Sequence, residues 1–156
     1  MKEKSFDPDV VSQIVTQHNG RAELLLQILN DVMDAIGWIP DDVIRQLASE
    51  LNVSRADVHG VVSYYDDYRS TPPGKHVIKV CQAEACQAMG ARELGAHIER
   101  SLGVAMHEST ADVTLQPVYC LGNCACSPAV MIDNKTYGRV TVQRFDELVD
   151  SLAGER

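Results

Sequence analysis

Apolar residues recur at helical spacing through the first seventy positions of the chain, then give way to short β-branched runs. Asp7-Pro8 is a helix start, with Asp as the cap and Pro in the first turn, and Gly20 marks a stop. From Ala22 to Ile36, residues Leu25, Ile28, Leu29, Val32 and Ile36 fall on one helical face. Gly37-Trp38-Ile39-Pro40 interrupts that pattern. A third helix is predicted from Asp41 to Leu51, with Val43, Ile44, Leu47, Ala48 and Leu51 turned inward. Ser54-Arg55-Ala56-Asp57 resembles a capping box with Asp in the place of Glu or Gln. It opens a fourth helix through Val58, Val61, Val62 and Tyr65.

Thr71-Pro72-Pro73-Gly74 is a stretch that regular structure does not cross easily. The expected division is a helical domain over residues 1–73 and a second domain over 74–156. In the second, His76 to Val80 reads as a strand ending at Cys81, and Ala88 to Leu102 as a helix carrying Leu94, Ile98 and Leu102. Val113 to Tyr119 reads as a strand that delivers Cys120. Ala129 to Ile132 and Tyr137 to Val140 flank Asp133-Asn134-Lys135, a hairpin signal. A last helix follows Thr141 with Phe145, Leu148, Val149 and Leu152. The fold class is therefore α+β: an N-terminal helical bundle followed by an α/β domain. Its β-α-β-β-α order is that of a small thioredoxin-like sheet.

Composition narrows the function. The chain has 156 residues, 45% of them apolar, enough for an ordinary core. No apolar run approaches the roughly 18 residues that span a bilayer. Met1-Lys2-Glu3-Lys4-Ser5 leads into an acidic stretch, so no secretory leader is expected and the cytoplasm is the expected compartment. Net charge is −8, with 12 acidic and 6 basic residues up to Gly74 and 10 against 8 beyond it. Such a surface repels phosphate backbones, which argues against nucleic acid, and favours cationic partner surfaces.

Five cysteines in a cytoplasmic chain point to metal or redox chemistry before disulfides. Four form two pairs, Cys81-x4-Cys86 and Cys120-x3-Cys124, each expected in a loop at the carboxyl end of a neighbouring strand. Two thiolates from each loop suit a [2Fe-2S] cluster, in which each iron takes two. Structural zinc wants four ligands as well, but usually from tighter turns, so a zinc-stabilised interaction module is the alternative from another class. Cys126 is read as a small buried hydrophobe beside the second loop, with a ligand role in place of Cys124 or a redox role as alternatives. Dithiol exchange would require C-x-x-C at a helix start, which neither Cys81/Cys86 nor Cys124/Cys126 supplies. His18, His59, His76, His97 and His107 are scattered, with His76 and His107 nearest the predicted strands. No nucleotide fingerprint is present. Tyr64, Tyr65, Tyr68 and Trp38 suit a docking surface or interior packing equally well.

Gly37-Trp38-Ile39-Pro40, Val61-x-x-Tyr64-Tyr65-x-x-Tyr68, Pro73-Gly74-Lys75-His76-Val77-Ile78 and the four cysteines together resemble the thioredoxin-like [2Fe-2S] subunit family. That family includes the 24-kDa (E-type) subunit of respiratory complex I and its counterparts in NAD-reducing hydrogenases and NAD-dependent formate dehydrogenases. The resemblance implies Cys81, Cys86, Cys120 and Cys124 as ligands, and a helical domain that embraces a partner carrying FMN and NAD(H). It implies an electron-transfer subunit without catalysis of its own. The loops Cys81–Gly90 and Cys120–Ala129 look most like the gamma subunit of a soluble molybdenum formate dehydrogenase. The expected partners are then a diaphorase subunit and a molybdenum- and iron-sulfur-containing large subunit. The alternative within the family is the E-type subunit of complex I or of a NAD-reducing hydrogenase. Backbone N–H groups around Leu121 to Ala125 are the expected tuning donors.

Overall fold

The computed structural model describes residues 6–154, so the expectation drawn from Met1-Lys2-Glu3-Lys4-Ser5 lies outside the described residues. The chain forms two compact units divided between Pro72 and Pro73.

The first unit consists of α1 (Pro8–Gln17), a 3-10 turn (Ala22–Leu24), α2 (Leu25–Ile36), α3 (Asp41–Glu50) and α4 (Arg55–Tyr64). Local chemistry sets the ends. Asp7 accepts a hydrogen bond from the Asp9 N–H at 3.0 Å, and Gly37 closes α2 in the left-handed region at φ 85°. Both halves of the capping box at α4 are made: the Ser54 hydroxyl accepts from the Asp57 N–H at 3.1 Å, and the Asp57 carboxylate accepts from the Ser54 N–H at 3.1 Å. Val11, Ile28, Leu29, Val32, Val43, Leu47 and Val58 are fully buried in one core. Burying each contributes about 1.5–3 kcal/mol relative to exposure. The expected helix over 22–36 begins as a 3-10 turn, with the Leu24 N–H bonded to the Arg21 carbonyl at 3.0 Å, and no side chain caps it at Arg21. Tyr68 packs on this core and donates its hydroxyl to Asn30 Oδ1 at 2.7 Å, whereas Tyr64 is 78% exposed.

The second unit is a four-stranded sheet in the order β2-β1-β3-β4, with β1 His76–Cys81, β2 Val113–Val118, β3 Val130–Ile132 and β4 Lys135–Tyr137. β1 runs parallel to β2, in register from His76 opposite Val113 to Cys81 opposite Val118. The two chain segments therefore leave the sheet at the same end. β1 pairs antiparallel with β3, and β3 with β4. The helices are α5 (Glu84–Ala88), α6 (Ala91–Leu102) and α7 (Val142–Gly154). Leu94 and Ile98 from α6 and Phe145 from α7 join Ile78, Leu115 and Val130 in one core.

Two elements of this unit differ from expectation. The helix expected over 88–102 begins at Ala91, after Gly90 at φ 92°, and a separate short helix, α5, precedes it from Glu84 to Ala88 and carries Cys86. The hairpin loop is two residues long, not three, and its second strand is Lys135–Tyr137 and not Tyr137–Val140. Asp133 and Asn134 both adopt positive φ (47° and 68°), a combination these residues tolerate, and Lys135 then pairs with Ile132. Gly74 is sterically required, since a Cβ there would stand 2.6 Å from the Val113 nitrogen. Among the described residues, no helix is long and apolar enough to cross a membrane.

Candidate metal centre

The parallel register of β1 and β2 decides where the thiols go. Cys81 is the last residue of β1, 2% exposed, with its N–H bonded to the Ala129 carbonyl at 3.1 Å. The Gln82 N–H continues the ladder to the Val118 carbonyl at 2.7 Å. The chain then turns into α5, which buries Cys86 to 1% exposure beside Ala91 and Ala129. Gln87 Nε2 closes this loop on the Gln82 carbonyl at 2.7 Å, and Arg92 donates to Gln87 Oε1 at 2.7 Å. Cys86 thus stands on a short helix and not in open loop, because Gly90 permits that helix to form separately.

Cys120 lies two residues past β2 and is exposed. The Gly122 N–H donates to its sulfur at 3.3 Å, from a backbone held at φ 70°. Cys124 is also exposed and opens the 3-10 turn Cys124–Cys126, closed by Cys126 N–H to the Asn123 carbonyl at 3.0 Å. Ser127 links the two loops: its hydroxyl donates to the Cys124 carbonyl at 2.7 Å, and Cys86 Sγ lies 3.6 Å from the same hydroxyl oxygen.

Electrostatics group the thiols in the same way. Burial pushes Cys81 up, opposed by the Ala83 and Leu121 N–H groups and reinforced by Cys86. Burial also pushes Cys86 up, but hydrogen bonding from Ser127, Cys81 and the Ala129 backbone outweighs it and leaves the thiol below its ordinary value. Cys124 is raised chiefly by its bond with Cys120, then by the Cys120 charge, with a further contribution from Cys86. The thiols therefore interact as two pairs, Cys81 with Cys86 and Cys120 with Cys124, bridged from Cys86 to Cys124. Among the described residues, no three His, Cys, Asp or Glu side chains gather at one point suited to a single metal ion. Two pairs of soft thiols, with backbone N–H groups of Ala83, Leu121 and Gly122 directed at sulfur, fit a two-iron cluster.

Cys126 is half-buried, and its carbonyl accepts from the Arg139 N–H at 2.6 Å. A Cβ at Gly138 would meet Cys126 Cβ at 2.6 Å, so the chain after β4 presses directly on the second cysteine loop. Sequence reading missed Ser127 and Gly138. Ser127 stood in view beside Cys126 and Pro128, but a serine in a loop carries no signal of its own, and Gly138 reads as an ordinary loop glycine. The histidines lie elsewhere: His76 starts β1 and bonds Asp133 at 2.6 Å, five residues or roughly 17 Å of strand from Cys81. His18 and His97 pair with Asp31 and Asp146, and the His107 N–H bonds the Leu115 carbonyl.

Residues 11–153 match the thioredoxin-like [2Fe-2S] ferredoxin family, through both units. The chain is 35% identical over 128 residues to the E-type subunit of NADH-quinone oxidoreductase from Pseudomonas aeruginosa, covering 81% of this chain and 77% of that one. It is 34% identical over 127 residues to the corresponding subunit from Escherichia coli K12, covering 80% and 76%. Among solved structures, a chain of a NAD+-reducing [NiFe]-hydrogenase in its H2-reduced state superposes with TM-score 0.73 at 18% identity, over 87% of this chain. At that identity the likeness concerns the fold alone, and this chain spans only 23% of the hydrogenase chain. The zinc alternative gives way accordingly. The chain belongs to the thioredoxin-like [2Fe-2S] ferredoxin family, and its cofactor is a [2Fe-2S] cluster.

Proposed function

We propose that this chain is an E-type electron-transfer subunit of an NADH-oxidising complex, with Cys81, Cys86, Cys120 and Cys124 as the cluster ligands. The observation that carries the reading is its 35% identity to an E-type NADH-quinone oxidoreductase subunit, along both the helical and the cysteine-bearing units. The formate dehydrogenase reading of the two cysteine loops gains nothing from these relatives and stands second to it.

In this reading the cluster supplies one-electron chemistry at low potential. The protein's part is to hold and shield it. Cys81 and Cys86 bind from the buried side, and the Ala83, Leu121 and Gly122 N–H groups offset negative charge on sulfur. Cys120 and Cys124 face outward beside Tyr119, which is 69% exposed and suits partner contact. The helical unit, acidic and displaying Tyr64 and Tyr65, is the proposed dock for a flavin- and NAD(H)-binding partner.

Anaerobic purification with iron and sulfide analysis, EPR before and after dithionite, and affinity capture of the partner test the proposal. About two irons and two sulfides per chain, EPR-silent until reduced, are expected. Capture of an FMN protein with NADH-oxidising activity and quinone-reductase subunits supports the E-type reading. Capture of a molybdenum-containing formate-oxidising subunit would replace it with the formate dehydrogenase reading.

A further inference from the structure

Ser127, 9% exposed, is with Thr114 one of two buried polar residues among the described residues, and it stands between the two cysteine pairs. Its oxygen is 2.7 Å from the Cys124 carbonyl and 3.6 Å from Cys86 Sγ. A hydroxyl has one proton and two lone pairs. While Cys86 is a thiol, both contacts are satisfied: the S–H donates to Ser127, and Ser127 donates to the Cys124 carbonyl.

A metal-bound Cys86 is a thiolate with no proton to give. If the Ser127 proton stayed on the Cys124 carbonyl, an oxygen lone pair would face an anionic sulfur inside a buried pocket. Turning the hydroxyl relieves that repulsion, because the O–H then donates to the sulfur. The Cys124 carbonyl loses its neutral bond, while a charge-assisted bond, worth roughly twice as much, is gained. The gain grows when an added electron puts more negative charge on the thiolates.

We propose that Ser127 is a positioning residue for the redox centre: its hydroxyl donates to the Cys86 thiolate and raises the cluster's reduction potential. The proposal rests on Cys86 being a ligand. It concerns a side chain, in addition to the backbone donors named above, and a serine that this chain has placed where both loops meet.

The test is an EPR-monitored redox titration of anaerobically purified wild type, S127A and S127T, each with iron and sulfide analysis. S127A is expected to keep two irons and two sulfides while its midpoint moves negative. At a fixed ambient potential the ratio of reduced to oxidised cluster should fall about tenfold, equivalent to ~59 mV for one electron. S127T, which retains the hydroxyl, should return the midpoint to the wild-type value; a purely structural role would not follow the hydroxyl in this way. An unchanged midpoint in fully loaded S127A overturns the proposal. So does loss of the cluster in S127A, which would make the hydroxyl a strap on the Cys124 loop and not a tuning donor. Wild type or C86S results separate the underlying assignment: wild type without iron and sulfide, or C86S with a full wild-type cluster, would refute the ligand reading itself.

Discussion

Substituting Gly138 by Ala tests whether the chain after β4 holds the second cysteine loop in place. The new methyl would stand 2.6 Å from Asn123 Nδ2, 2.6 Å from Cys126 Cβ and 2.8 Å from the Cys126 carbonyl oxygen. Carbon atoms in contact rest about 3.5 Å apart, so roughly 0.9 Å must be found. The Asn123 amide can swing away at little cost. Cys126 cannot, because its Cβ and carbonyl move only with the 3-10 turn that begins at Cys124, and the carbonyl is bonded to Arg139. Even if half the strain is taken up at position 138, the turn moves by about 0.4 Å, twice the roughly 0.2 Å tolerance of metal–ligand distances. Overpacking of this kind costs about 1–3 kcal/mol, or on the order of 4–24 °C in Tm for a unit of this size. The assay has two parts: a circular-dichroism melt of the apo protein, and iron and sulfide per chain after reconstitution under limiting metal. Gly60→Ala is the control, because it lies inside α4 with nothing within 4 Å of the added methyl. It should stabilise by about 0.5–1 kcal/mol. A Gly138→Ala protein that melts at the wild-type temperature and loads a full cluster would refute the reasoning.

Cys86→Ser and Cys124→Ser should each lose or alter the cluster while the helical unit keeps its far-ultraviolet signal; Cys126→Ser should load normally, as judged by iron content and EPR. Phe145→Ala, which empties a fully buried position in the sheet core, should lower stability by about 3–5 kcal/mol in denaturant unfolding. Asp57 is held below the usual carboxylate range by the Ser54 hydroxyl and N–H. Its folded value lies under its unfolded value, so its contribution is complete above about pH 4 and fades as pH falls through the folded value. Asp57→Asn should therefore lower the denaturant midpoint at neutral pH and converge on wild type in strong acid.

Features set by neighbouring residues were legible in the sequence. Asp7-Pro8 and Ser54–Asp57 cap helices by themselves, and the run from His76 to Val80 delivers Cys81 at its end as its β-branched composition predicts. Features set by tertiary packing were not. Whether Gly90 continues a helix or restarts one depends on where α5 must seat Cys86, and the hairpin register depends on Lys135 meeting Ile132. The cysteine spacing pointed to a cluster, and family membership supports that. The same spacing carried no information about Ser127 or Gly138, which matter through residues reached only in three dimensions.

The placement of Cys81 and Cys86 also bears on how the cofactor is acquired. One thiol ends a strand paired on both sides, and the other sits on a helix packed against Ala91 and Ala129, so both are placed by backbone pairing and apolar packing. Zinc-finger peptides spend their metal affinity on folding, whereas this sheet is assembled from an apolar core of its own. Half of the proposed donor set is therefore positioned by the fold itself. Maturation resembles docking a part into a finished socket, and removal of the cluster should leave a folded, reloadable protein.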